Sequence, residues 1–202
     1  VSDGGLSSSA ELRISVTGVN DAPGAVSNIE TVVENGMIAD KSLLSNDADI
    51  DGDTLSISAV RAGNISESGT IGTIGEALAG TYGALTLDAN GTYSYTANAG
   101  AVDALAAGAT VEDVFTYTVS DGSLTSSAEL RITVTGANDR PVAVSNVDAV
   151  VENEVISEVA SISLLSNDAD VDGDTLVVSA VRSGSISQIG TSGTIGLGLT
   201  GA

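Results

Sequence analysis

Four aspartates stand two residues apart in "NDADIDGD" at 46–53: Asp47, Asp49, Asp51 and Asp53, with Gly52 among them. The pattern returns as "NDADVDGD" at 167–174, with Asp168, Asp170, Asp172 and Asp174. Two carboxylates about 4 Å apart repel by roughly 1 kcal/mol in water and several times more near a protein surface. A hard cation relieves that cost, and calcium takes about six to eight oxygens from carboxylates, carbonyls and water. A solvated turn is the competing reading, because Asp and Gly are common turn residues. The spacing imitates the opening of an EF-hand loop, which needs a bidentate glutamate at its twelfth position. Counting from Asp47 or Asp168, that position holds Ser58 or Ser179. An EF-hand is therefore excluded. Asp51, Asp53, Asp172 and Asp174 either serve a second, local ion or hold the turn open.

The rest of the composition narrows the chemistry. The 202 residues carry six basic against 27 acidic side chains, a net charge of -21, which excludes nucleic acid or an anionic membrane as the natural partner. There is no cysteine and no histidine. Thiol chemistry, disulfides, soft-metal sites and imidazole bases are all ruled out. No apolar run is long enough to span a bilayer, and no signal peptide opens the chain. Apolar residues reach 42% with only 2% aromatics, a β-branched and aliphatic mixture unlike acidic disorder. An extracellular domain without disulfides needs another staple, and calcium at external concentrations is a candidate.

Self-comparison shows how the chain is organised. "VSDGGLSSSAELRISVTGVND" at 1–21 matches "VSDGSLTSSAELRITVTGAND" at 119–139, displaced by 118 residues, and "VVEN" recurs at 32–35 and 150–153. "SLLSNDADIDGDTLSISAVR" at 42–61 matches the stretch at 163–182, displaced by 121. The expected organisation is the last strands of one repeat with its linker at 1–21, a complete repeat at 22–139, and the opening of a third at 140–202. The chain reads as a window cut from a longer array.

Within the complete repeat the period is that of strands. "SAELRITVTG" places Ala128, Leu130, Ile132 and Val134 inward and Glu129, Arg131, Thr133 and Thr135 outward. "VFTYTVSDG" turns Phe115, Tyr117 and Val119 to the same core. "GALTLDANGTYSYT" reads as a hairpin around Asn90–Gly91, with Leu85 and Leu87 facing Tyr93 and Tyr95. "GTIGTIG" at 69–75 reads as a strand edge or loop, and the Ala-rich stretch at 99–109 as a helical turn or crossover. Short strands separated by turns predict an all-β fold, a seven-stranded immunoglobulin-like sandwich in tandem.

Several of these stretches carry a family resemblance. "VSDG…SSAELRITVTGANDRP" resembles the last strands and Asp/Asn-rich linker of a cadherin-type domain, "VVEN" its glutamate-asparagine motif, and "NDAD" its Asp-Ala-Asp motif. The wording of the whole repeat resembles VCBS repeats, cadherin-like modules in tandem within large bacterial secreted adhesins and biofilm proteins. The resemblance implies Ca2+ between consecutive domains. The first junction would use Asn20, Asp21, Asp47, Asp49 and Asp121, and the second Glu34, Asn138, Asp139, Asp168 and Asp170. Asp3 and Glu152 are counterparts whose junctions lie outside the chain. The cadherin Asp-Arg-Glu motif is absent.

The function expected is a calcium-rigidified extender at the bacterial cell surface or in a secreted fibre, partnered by neighbouring repeats. Two other readings compete. A glycan- or protein-binding sandwich would usually show exposed aromatics, and one Phe and four Tyr leave few. A fibre could instead assemble by strand addition, the strands at 1–18 completing the third repeat of a neighbouring chain. Clustered, repeated acids do not resemble the single carboxylate pair of a glycoside hydrolase, so no enzyme is expected.

Overall fold

The structure is a computed structural model describing residues 1–98, 100–147, 149, 151–152, 164–182 and 192–193. The complete repeat is a two-layer β-sandwich. Nine strands follow the chain: β1 (Asn28–Val33), β2 (Met37–Ser42), β3 (Ser56–Ala62), β4 (Ile71–Gly72), β5 (Ala77–Ala79), β6 (Ala84–Leu87), β7 (Thr92–Thr96), β8 (Thr110–Ser120) and β9 (Thr125–Thr135). One sheet has the order β1-β9-β8-β3-β4, the other β2-β7-β6-β5. β1 runs parallel to β9, and the other pairings are antiparallel. Seven strands were expected. The two extra ones, β4 and β5, come from the glycine-rich stretch and its sequel, and each adds a short outer edge to one sheet.

The core follows the alternation. Leu85, Leu87, Tyr93 and Tyr95 from one sheet meet Phe115, Tyr117, Val119, Leu130, Ile132 and Val134 from the other, all buried. Each large apolar side chain buried contributes about 1.5–3 kcal/mol relative to exposure. Tyr95 and Phe115 pack edge to face with ring centroids 6.1 Å apart. The hairpin has the expected facing pairs, Leu85 with Tyr95 and Leu87 with Tyr93. Its turn closes through the Gly91 amide donating to the Asp88 carbonyl, with Gly91 at φ 83, where a side chain would be strained. The Ala-rich connection crosses from β7 to β8 through turns, and Val102 from it is fully buried.

Polar groups join the layers where aliphatic packing stops. Asp113 is buried and fully used: Oδ1 accepts from the Thr81 amide at 2.8 Å, and Oδ2 from the Tyr82 amide at 3.0 Å and the Tyr95 hydroxyl at 2.7 Å. At the opposite edge, a bulge at Asp40 (φ 57) shifts the β2 register and sets Lys41 opposite Tyr93. Lys41 then reaches across to Glu30 of β1, which also accepts from the Tyr93 hydroxyl at 3.1 Å.

Glu129 corrects the simple alternation. It lies on the outward side of β9, yet it is only 8% exposed, because the loop after β3 folds over it. Its Oε1 accepts from the Ile65 amide at 2.6 Å, and Oε2 pairs with Arg131 at 2.7 Å. The Ile65 amide first, then the Arg131 partnership, holds its carboxyl below the usual range against the opposing effect of burial.

Outside the complete repeat, the described residues carry little regular structure. Residues 1–18 were expected as strands but show one bridge, Ser2 to Ser7, and no ladder. Leu12, Ile14 and Val16, the counterparts of Leu130, Ile132 and Val134, are 76–89% exposed. A strand forms only against partners, and this one has none among the described residues. In the third repeat, β10 (Val181–Arg182) pairs with β11 (Ser192–Gly193). The segment 140–202 corresponds to 22–81. Much of that segment, including Asn153, lies outside the described residues.

Two outcomes test this account of the fold. Asp113→Ala leaves the buried Tyr95 hydroxyl and the amides of Thr81 and Tyr82 without their acceptor and is expected to lower stability by about 3 kcal/mol in denaturant titration; a loss below about 1 kcal/mol would contradict the clamp. Glu129 has a lowered folded pKa, so its contribution is present above the unfolded value and lost as pH falls through the folded one. The stability gap between wild type and Glu129→Gln should accordingly be full at pH 7 and shrink on acidification below the usual glutamate range.

Candidate metal centres at the two linkers

Each acidic loop is zipped to the linker that precedes its repeat. In the first, the 3-10 turn Leu43–Ser45 is anchored by fully buried Leu43, and the chain then enters 46–53. Gly24 and Ala48 form a bridge with amide–carbonyl bonds of 2.8 and 3.3 Å. Asp47 Oδ1 accepts from the Val26 amide at 2.7 Å, and Asp51 Oδ2 from the Asp21 amide at 2.7 Å. The second loop repeats the arrangement. Val142 bridges Ala169, Asp168 Oδ1 accepts from the Val144 amide at 2.7 Å, and Asp172 Oδ2 from the Asp139 amide at 2.6 Å.

The turns themselves are alike. Asp49 Oδ1 accepts from the amides of Asp51 and Asp53 at 2.9 and 3.3 Å, and Asp170 Oδ1 from those of Asp172 and Asp174 at 3.1 and 3.3 Å. Gly52 and Gly173 take φ values of 81 and 78, which lets the chain fold back on the aspartate. Carboxylate oxygens of Asp49, Asp51 and Asp53 converge within 4.8 Å of one another, as do those of Asp170, Asp172 and Asp174.

The linker asparagines close the pole. Asn20 Nδ2 donates to the Asp21 carbonyl at 3.0 Å and to Asp121 Oδ2 at 2.9 Å, so linker and "SDG" turn meet as the motif order requires. Asp121 Oδ1 accepts from the amides of Ser123 and Leu124. The Leu124 amide, followed by Asn20, holds the Asp121 carboxyl below its ordinary value. At the second linker, Asn138 Nδ2 donates to the Asp139 carbonyl at 2.8 Å. Glu34 sits just past the end of β1, with its amide on the Thr135 carbonyl. It is 6% exposed.

What remains after these bonds are counted is informative. Glu34 Oε2, Asp47 Oδ2, Asp49 Oδ2 and Asp172 Oδ1 are buried and have no hydrogen-bond partner. An anionic oxygen removed from water and left unpaired is costly. The effect is visible at Asp47, where burial pushes the carboxyl up despite the Val26 amide. The orphaned oxygens are hard, anionic and lodged at both linkers, a donor set that suits calcium.

The geometry also revises the weight given to individual residues. From the sequence, Asp51 and Asp172 read as ligands of a second, local ion or as residues that hold the turn open. They turn out to be the groups that bind the linker backbone, and they share the tightest convergence with Asp49 and Asp53, or with Asp170 and Asp174. The signal was the unbroken two-residue spacing. Asp47 and Asp168 stand slightly apart, each committed to a valine amide.

The fold and these paired poles define a tandem cadherin-like β-sandwich protein. Residues 20–136 match the bacterial cadherin-like domain, and residues 138–200 match the bacterial Ig domain. The first match covers more than half of the chain, which therefore belongs to the bacterial cadherin-like domain family. Domains of both kinds are typical of extracellular surface-protein repeats, and they are typically non-catalytic. Nothing among curated proteins matches the chain. Similar solved structures include the endo-fucoidan hydrolase MfFcnA4 from glycoside hydrolase family 107, at 22% identity and a TM-score of 0.31, over 57% of this chain and 14% of that one. A variant of MfFcnA4 gives 24% and 0.33 over the same shares, and MfFcnA9 gives 20% and 0.28 over 55% and 15%. The chain thus spans about one seventh of those enzymes' length, and likeness at that level bears on no activity. No described helix is long and apolar enough to cross a membrane.

Gly52→Ala forces a side chain into a left-handed conformation with φ 81. It should destabilise the complete repeat by about 1 kcal/mol in thermal unfolding. The equivalent Gly173→Ala should leave the melting of that repeat unchanged. A shared effect of both would show that the two loops are not independent.

Proposed function

We propose that the chain is a calcium-stiffened extender segment of a repetitive bacterial surface adhesin or extracellular matrix fibre, of the kind that builds biofilm. The observation that carries this reading is the set of buried, partnerless carboxylate oxygens on Glu34, Asp47, Asp49 and Asp172. At the first junction Asp47, Asp49 and Asp51 would hold the ion, with Asp121 and the linker at Asn20 and Asp21, and Asp53 beside them. At the second the set is Asp168, Asp170, Asp172, Asp174, Asn138 and Asp139, with Glu34 from the preceding sandwich. Calcium supplies positive charge there and no other chemistry.

The mechanical consequence follows from where the ligands come from. The linkers "TGVNDAPG" and "TGANDRPV" are short, and each proline restrains only its own neighbourhood. Without the ion, like charges on both sides of a linker favour its opening. With the ion, groups from sandwich, linker and loop are fixed to one centre and the angle between repeats is set. Successive repeats then form a rod that carries an adhesive tip away from the cell.

Calorimetry on the chain should show calcium binding with dissociation constants on the order of 10⁻⁴ to 10⁻³ M, the range of extracellular modules. Small-angle scattering should show a longer, stiffer particle in calcium than in chelator. Asp139→Ala should loosen the second junction while the complete sandwich keeps its melting temperature in chelator. A maximum dimension and flexibility indifferent to chelator would rule out calcium as the stiffener.

A further inference from the structure

The two valine amides that hold Asp47 and Asp168 are not equally supported. On the far side of the Val26 peptide, its carbonyl accepts from the Tyr117 hydroxyl at 2.8 Å, from Asn28 Nδ2 at 3.1 Å and from Asn46 Nδ2 at 3.3 Å. Asn28 Nδ2 also donates to the Tyr117 oxygen at 2.9 Å. Tyr117 is 1% exposed and its ring lies in the core of β8. The peptide is thus gripped on its carbonyl side by a core side chain and presents its N–H to Asp47 Oδ1. That contact leaves Asp47 Oδ2 buried and free of any donor.

At the second junction the carbonyl of Val144 accepts from Asn146 Nδ2 at 3.4 Å, and Asn146 also serves the Leu164 carbonyl at 2.9 Å. Among the described residues no tyrosine hydroxyl is bonded to the Val144 carbonyl.

We infer that Tyr117, assisted by Asn28, is a positioning residue for the first cation centre: through the Val26 peptide it orients the Asp47 carboxylate and links ion occupancy to the sandwich core. The inference rests on the calcium reading above. The linkage runs both ways, because an ion that fixes Asp47 also fixes the Val26 peptide and with it the hydroxyl end of Tyr117. Burial, then the nearby Asp47 charge, pushes the Tyr117 phenol up to about 12, so it stays a protonated donor at neutral pH. Tyr117→Phe keeps the ring in the core and removes the hydroxyl that grips the Val26 carbonyl and accepts from Asn28. Losing one such hydrogen bond corresponds to a weakening of about 2- to 10-fold in affinity.

The amides of Val26 and Val144 report the two junctions separately, so the test is a calcium titration of the 202-residue chain followed by NMR at both. For Tyr117→Phe, the expected result is a midpoint raised about 2- to 10-fold at Val26 and unchanged at Val144, with faster exchange of the Val26 amide in calcium. Asn28→Ala, which leaves Tyr117 in place, should move the same midpoint in the same direction and by less. If wild type binds at Val26 with normal affinity and Tyr117→Phe does too, the positioning role is overturned while the calcium reading stands. Equal weakening at both junctions would mark a merely structural role and overturn it as well. Failure of wild type to respond to calcium at either amide would overturn the calcium reading itself.

Discussion

Crowded like charge at each linker governs the architecture around it. The acidic loops are held in shape by their own backbone: one oxygen each of Asp47, Asp49, Asp168 and Asp170 is spent on amides of the adjoining chain. That arrangement makes the loops rigid before any ion arrives, and it also prevents the carboxylates from swinging apart to relieve their repulsion. The second oxygens of Asp47 and Asp49, and Oδ1 of Asp172, are left buried without a partner. A flexible acidic loop would pay little for its charge in water. These loops are held by backbone bonds, and a cation would relieve the cost.

The sandwich beneath is built so that it does not share that cost. Its core is mainly aliphatic with four buried aromatic rings, Tyr93, Tyr95, Phe115 and Tyr117, and its polar clamps are satisfied locally. Asp113 takes three donors and leaves none unpaired, Glu129 binds a loop amide and Arg131, and Glu30 joins Lys41 to Tyr93. These clamps stand where a small extracellular domain would often carry a disulfide. They bind loops and sheet edges to the core. Each repeat can therefore fold on its packing, while the linkers carry the electrostatic burden.

Much of this was legible in the sequence, for identifiable reasons. The hairpin at Asn90–Gly91 and the inward face of β8 and β9 were readable because strand periodicity and turn chemistry are local. The acidic clusters were readable because repetition exposed them. Glu129 was misplaced because its burial comes from a loop more than 60 residues away in sequence, which no period of two can report. The bulge at Asp40 gave no signal, being a response of β2 to its partners. The role of Asp51 and Asp172 was underweighted since it depends on a backbone amide of the linker, and amides carry no sequence label. Residues 10–17 show the converse: a perfect strand pattern stays without a ladder where no described residue pairs with it.

The division between core and junction has a consequence for an array of such repeats. If each sandwich is stable alone, the free energy of the array is a sum of repeat terms and nearest-neighbour terms, and the ions act only on the latter. Stretching or chelation would then affect linkers one at a time, without unfolding the domains between them. Tyr117 qualifies that independence at the first pole, because it belongs to the core and to the support of Asp47 at once. A repeat whose core is disturbed near Tyr117 would loosen the junction before it, and an occupied junction would steady the strand that carries Tyr117. At the first linker, coupling therefore extends into the sandwich that follows, because that sandwich supplies the tyrosine.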